Sequence, residues 1–252
     1  MTHGAEAYRS REPLAARMNI YRWQRDPVDL PGLAVAELSG VRGTVTDIGC
    51  GVGGYTDRLR AQRPDLRVLP LDRSPAMAAD ALADIRYLPL ADGSADAALA
   101  MHMLYHLEEP GAAIGELRRV LRPGGTLLAS TNGAGDKAEI AELWAAALRD
   151  LLGAEPEPYA NPAAGFTLDH GHLFEPHFAG IELREFARET VVPEPGPMIA
   201  FLHSLRGLAE GQLPDGIGWP DFLDRAAALV CRRIEETGAF RLTNRFGLFV
   251  CR

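Results

Sequence analysis

Residues 44–54 read TVTDIGCGVGG, a short apolar run that breaks into four glycines, with one acid, Asp47, two positions before the first of them. Gly49, Gly51 and Gly54 satisfy G-x-G-x-x-G, the pattern of loops that carry a dinucleotide pyrophosphate. A strand that ends in such a turn and opens a helix is expected to present free backbone N–H groups at the carboxyl edge of a sheet, and glycine lets a ligand approach the backbone closely. A second acid, Asp72 in PLDRS, ends the next strand-like run, where it can bind ribose hydroxyls. It serves any adenosine-containing cofactor equally. Asp47 is what discriminates: a carboxylate beside the loop repels a pyrophosphate and favours a cofactor that carries a cation instead.

Other side chains could also do chemistry. MHMLYHL (101–107) sets His102 and His106 four apart, with Tyr105 between them. They share one side if the segment turns helical, and a neutral imidazole suits a general base near pH 7. DHGHLFEPH (169–177) gathers His170, His172 and His177 with Asp169 and Glu175. A metal centre needs ordered ligand geometry that this spacing does not establish, so no metal is assigned. Cys50, Cys231 and Cys251 are odd in number and form no C-x-x-C pair, which reads as reduced thiols in a cytoplasmic protein.

These residues need a frame. TVTDI (44–48), LRVLPL (66–71), DIRYLPL (84–90), part of ADAALAMHML (95–104) and TLLAST (126–131) read as strands. GYTDRLRAQRP (54–64) reads as a helix with Tyr55, Leu59 and Gln62 along one side. SPAMAADALA (74–83) reads as a helix opened by an N-cap serine and a first-turn proline. EPGAAIGELRRVLRPGG (109–125) reads as a helix whose Arg118, Arg119 and Arg122 lie near its C-terminal end, where cations suit the helix dipole. Strands alternating with helices predict βαβ units, a parallel sheet and helices on both faces. After Asn132 the sequence predicts helices over 136–153, 197–210 and 220–237, a short helical segment and a strand within 174–188, and a closing strand over 240–251.

In these blocks the sequence resembles the class I S-adenosylmethionine-dependent methyltransferases of the small methyltransferase-domain type. VTDIGCGVGGYT is similar to their first motif, an apolar run, an acid and G-x-G-x-G. LPLDRSPAM resembles the ribose-binding acid followed by a Ser-Pro-x-Met step. ADIRYLPLADGSADAALAMHMLYHL and ELRRVLRPGGTLLAST resemble the blocks that follow. The family's fold is α/β, a Rossmann-like doubly wound, mostly parallel seven-stranded sheet whose last strand is antiparallel. Here it would carry a helical N-terminal segment and cap insertions. The resemblance implies S-adenosylmethionine as cofactor and S-adenosylhomocysteine as product. It implies that Asp47, Gly49 and Gly51 line the methionine and ribose part and that Asp72 holds the ribose diol, with Arg73 beside the adenine. Asp84 would accept from the adenine amino group, with the Ile85 backbone next to it and Met101 near the sulfonium. Gly54 then falls to helix packing. His102 and His106 are the candidate catalytic bases.

The resemblance also places the acceptor against the N-terminal segment and the insertions. The expected organisation is residues 1–40 as a helical lid and 41–252 as the methyltransferase domain, with acceptor-binding insertions at about 136–170 and 194–238. Tyr8, Tyr21, Tyr105 and Phe166 are the candidate acceptor-binding residues, and aromatic linings suit an organic small molecule. The formal net charge of -8 argues against a nucleic-acid substrate. No signal peptide and no membrane-spanning run is expected. The chain is expected to be a monomer or a homodimer. Three alternatives stay open: a methyltransferase acting on tRNA or protein, a non-catalytic cofactor-binding module, and a nicotinamide-dependent oxidoreductase.

Overall fold

The structure, a computed structural model, describes residues 8–252; the first seven residues of the expected lid lie outside the described ones. The chain divides into two compact units. One takes the chain up to Pro27 with Gly135–Ala164 and Ala187–Arg245; the other takes Val28–Ala134, Gly165–Phe186 and Phe246–Arg252.

The second unit holds the expected βαβ series. Its strands are β1 (Gly43–Ile48), β2 (Leu66–Asp72), β3 (Ala81–Leu82), β4 (Ala95–Met101) and β5 (Leu121–Asn132). β6 (Ile181–Val192) and β7 (Phe240–Cys251) each run from one unit into the other. The sheet has seven strands in the order β3-β2-β1-β4-β5-β7-β6. β1 to β5 pair in parallel, and β7 pairs antiparallel to β5, with Asn132 opposite Phe246. The mostly parallel sheet with its antiparallel last strand is therefore present. Its central strands are apolar on both faces, because both faces are covered. Ala98, Leu127 and Phe249 pack on one side with helix α4 (Pro110–Val120). Their neighbours Leu99, Leu128 and Leu248 pack on the other side with α2 (Leu30–Glu37), whose Ala34 belongs to that cluster.

Several local expectations change. Helix α3 (Gly54–Gln62) buries Thr56 and Leu59, while Gln62 is exposed. Residues 74–83 form a turn followed by β3 instead of a helix. The backbone N–H groups there leave the helical pattern: Ala78 donates to Gly51 (2.8 Å) and Asp80 donates to Pro70 (3.0 Å). Ser74 does take a capping bond, from the Ala76 N–H, but tertiary partners outcompete the helix that would follow. The third strand accordingly lies at Ala81–Leu82 and not at 84–90. α4 ends at Val120, where the chain enters β5 directly, and Gly124 and Gly125 fall inside β5 instead of ending the helix.

In the other unit, α1 (Glu12–Asn19) continues into a 3-10 turn, Ile20–Trp23. It is joined by α5 (Ala138–Leu152), α6 (Pro195–Ser204), α7 (Arg206–Ala209) and α8 (Trp219–Thr237). Proline occupies the first turn of α1, α6 and α8, where its missing N–H costs nothing. The core of this unit is aromatic: Trp144 lies 4.3 Å from Phe222 and 6.4 Å from Trp219 between ring centroids. Among the described residues, no helix is long and apolar enough to cross a membrane.

Candidate cofactor site

Apart from Phe166, the site residues predicted in the second unit lie at or just beyond the carboxyl ends of its strands. Leaving β1, the chain turns through Gly49, Gly51 and Gly53 at φ +69°, +56° and +89°. These are left-handed values that an L side chain rarely adopts. At Gly49 an added Cβ would stand 3.1 Å from the side chain of Met103, and at Gly53 it would stand 3.1 Å from Ala78 Cβ. Gly53 caps α3 in this way, whereas a Cβ at Gly54 would meet nothing within 4 Å. Gly54, the residue that completes the dinucleotide pattern, therefore has open space beside it. The expected helix-packing role belongs to Gly53.

The N–H groups of this loop are not free, contrary to the expectation from the glycine pattern. Gly49 and Cys50 donate to the Leu71 carbonyl (2.8 and 3.2 Å), and Gly53 donates to Cys50 (3.0 Å). Gly51 donates to Asp72 Oδ2 at 3.0 Å. A pyrophosphate cradle needs such groups aimed at the ligand. Here four of them are satisfied within the protein, which disfavours the dinucleotide.

The two acids differ in state. Asp72 is half-buried, and its Oδ1 accepts the Ser74 N–H at 2.9 Å. Each carboxylate oxygen has a further lone pair, so a diol fits here. Asp47 is 1% exposed. Its Oδ2 accepts from Thr56 Oγ1 at 2.7 Å. Burial pushes the Asp47 carboxyl up to about 6, with the Asp72 charge adding to the rise and the Thr56 hydrogen bonds opposing it. Cys50 beside it is buried, and burial first, then the Asp47 and Asp72 charges, push its thiol up to about 12. A buried acid, a half-buried acid with lone pairs left over and a glycine turn together fit S-adenosylmethionine, whose cations suit a carboxylate and need no phosphate cradle.

The remaining predicted residues fall into groups. Ile85 and Met101 are buried in the two core clusters that flank the sheet. Asp84 is held by its neighbour Arg86: Nη2 donates to Oδ2 at 2.6 Å and Nε to Oδ1 at 3.0 Å. Those bonds draw the Asp84 carboxyl down to about 2, with the exposed Arg73 charge contributing. His102 follows β4 with φ +51°, and its N–H is shared between the Ser130 carbonyl (2.9 Å) and Ser130 Oγ (3.1 Å). This non-glycine residue in the left-handed region is fixed at the carboxyl end of the strand. The helical face expected to join His102 and His106 does not form. Only Leu104–His106 makes a 3-10 turn, and His102 lies before it. Tyr105 packs edge-on to His106, with ring centroids 4.4 Å apart.

Phe166 is completely buried, with its ring edge-on to Phe174 at 5.9 Å. Its carbonyl accepts from Thr131 Oγ1 at 2.6 Å. The ring is committed to core packing, where an acceptor-facing ring was expected. Tyr8 and Tyr21 belong to the other unit, Tyr8 under the Arg17 guanidinium and Tyr21 under the Lys137 ammonium. Lys137 also pairs with Asp136 at 2.5 Å. His170 Nδ1 accepts the Thr167 N–H at 3.0 Å as part of a helix cap. Among the described residues, no three His, Cys, Asp or Glu side chains gather as a metal site. Thr56 and Ser130 were not predicted. The only signal for Thr56 was its place two residues into the helix that follows the glycines.

Residues 46–129 match the family model described as a methyltransferase domain. The malonyl-[acyl-carrier protein] O-methyltransferase of Hahella chejuensis is 37% identical over 99 residues, 34% of this chain and 36% of that protein. The malonyl-[acyl-carrier protein] O-methyltransferase of Yersinia pestis is 34% identical over 189 residues, 68% of this chain and 62% of that protein. These matches span less than two thirds of those curated relatives. The structure of Haemonchus contortus phosphoethanolamine N-methyltransferase 2 in complex with S-adenosyl-L-methionine aligns with a TM-score of 0.51 at 15% identity, covering 93% of this chain and 56% of that one, a likeness of fold. Residues 46–129 thus carry a methyltransferase domain, and the chain is similar to S-adenosylmethionine-dependent methyltransferases.

Proposed function

We propose that this protein transfers a methyl group from S-adenosylmethionine to an oxygen, nitrogen or carbon of an organic small molecule. The observation that carries the cofactor reading is the pair of acids at the glycine turn, one buried with no cation acting on it among the described residues and one half-buried and able to take a diol. The bound sulfonium would supply an already activated methyl group, so the residues of the chain need only bind, orient and exclude water. Asp72 would hold the ribose, Asp47 the cationic methionine end, and Gly49 and Gly51 would permit close approach. Asp84, Arg73 and the Ile85 backbone would border the adenine, and Met101 the sulfonium. His102, fixed at the end of β4, is the candidate to take a proton from a hydroxyl or amine acceptor. His106 is the second candidate, and Tyr105 an acceptor-binding one. Tyr8 and Tyr21 are proposed as further acceptor-binding residues.

The relatives' names favour a finer version, an O-methyl transfer to a carboxyl group, free or borne on a carrier protein. A cytoplasmic setting suits the three unpaired cysteines. Calorimetric titration with S-adenosylhomocysteine and NADH tests the cofactor. The first should bind, and Asp72→Ala should weaken it at least tenfold. Tight NADH binding without S-adenosylhomocysteine binding would overturn the reading. Transfer of labelled methyl to small carboxylic acids, and to the same acids on a carrier protein, then tests the acceptor. A non-catalytic module would bind cofactor and label nothing.

A further inference from the structure

We infer that Thr56 is a positioning residue that holds the Asp47 carboxylate ionised and aimed at the cation of the cofactor. This inference rests on the cofactor reading above.

Thr56 sits in the first turn of α3 and is 2% exposed. Its hydroxyl donates to Asp47 Oδ2 at 2.7 Å, and its backbone N–H also supports the carboxylate. Asp47 lies in the middle of the sheet, opposite Pro70 on β2 and Leu99 on β4, and neither side chain can donate to it. The charged and titratable groups that act on Asp47 are Asp72, at the end of β2, and the Cys50 thiol in the glycine loop. α3 contributes Thr56, and β4 contributes an apolar neighbour. Among the described residues, no lysine or arginine acts on Asp47.

A buried carboxylate with no cation strongly prefers to take up a proton. The groups that favour the ionised form are the donors of Thr56, and they act before any ligand arrives. A cationic ligand completes the pair. If the acid is protonated first, that ligand must displace a proton, and binding weakens as pH falls through the Asp47 titration near 6. Without the Thr56 hydroxyl the titration moves to higher pH. If Thr56 only fills space, the nearly isosteric valine leaves the titration where it was.

The test is calorimetric titration of the full chain with S-adenosylhomocysteine between pH 5 and 8, where its ammonium stays charged. For the wild type the affinity should fall about tenfold per pH unit below the midpoint. Thr56→Val, and Thr56→Ala as a second hydroxyl-free variant should valine not fold, should raise that midpoint by about one pH unit or more. Thr56→Ser should restore it, and Asp47→Asn should flatten the profile. Hydroxyl-free variants that keep the wild-type midpoint, or a serine variant that behaves like valine, would overturn the inference. A wild type that binds no S-adenosylhomocysteine at any pH would instead sink the cofactor reading itself.

Discussion

Replacing Arg119 by methionine should loosen the segment that carries Asp84 and Ile85. That segment, 83–93, has no regular secondary structure beyond an isolated bridge between Asp84 and Tyr87. Arg119 reaches into it from α4, donating to the carbonyls of Leu88 (3.2 Å) and Leu90 (2.9 Å) and to Asp92 (2.6 Å). It also grips Glu116 through two bonds of 2.7 Å, and Glu116 Oε1 in turn accepts the Leu88 N–H at 2.8 Å. The two backbone carbonyls are worth about 1 kcal/mol each. Glu116 is only 16% exposed, so stripping its partner adds about 1–2 kcal/mol, while Asp92, 82% exposed, adds little. The expected loss is about 3 kcal/mol, a fall in Tm of about 10 °C. Urea denaturation with hydrogen exchange at the Leu88 and Gly93 amides measures it. Glu116→Gln, which keeps an acceptor for Leu88, should lose about 1 kcal/mol. Arg119 holds the Glu116 carboxyl below the ordinary glutamate range. The contribution of the pair is therefore complete above about pH 4.3 and is lost as pH falls through the lowered value. The gap between Arg119→Met and wild type should narrow in that acid window by about 1–2 kcal/mol, the share of the Glu116 pair, and the part due to the Leu88 and Leu90 carbonyls should remain. A methionine variant within about 0.5 kcal/mol of wild type, with unchanged exchange at both amides, would refute the reasoning.

Asp47→Asn should weaken cofactor binding about tenfold at pH 7 yet stabilise the free protein there by about 2 kcal/mol, seen as a rise in urea midpoint. The sign follows from the raised Asp47 titration: the protonated acid favours the fold, and that contribution is lost as pH rises through about 6. Gly53→Ala forces a side chain to φ +89° and within 3.1 Å of Ala78, and should cost about 1–3 kcal/mol in the same assay. Gly54→Ala meets open space at the start of a helix and should be neutral or stabilising by up to about 1 kcal/mol. Thr131→Val leaves the buried Phe166 carbonyl without its 2.6 Å donor and should cost about 1–3 kcal/mol by denaturation.

The sequence by itself determined the βαβ series, the two acids and the glycine turn, because each is a local signal. Apolar runs, turn glycines and the residue that ends a strand are all legible within ten positions. It did not determine where hydrogen bonds would go once the chain was folded. The 74–83 segment carries a sound helix start, but its N–H groups find Gly51 and Pro70, far away in sequence. The glycine loop looked like an open N–H cradle until Leu71 and Asp72 closed it. Arg119 looked like a dipole charge at a helix end, and the fold turned it into a clamp on a distant loop. Phe166 looked like a pocket wall, and core packing took it. Residue type and spacing name the candidates for chemistry. Only the tertiary structure decides which of their polar groups are already satisfied within the chain and which a ligand must complete.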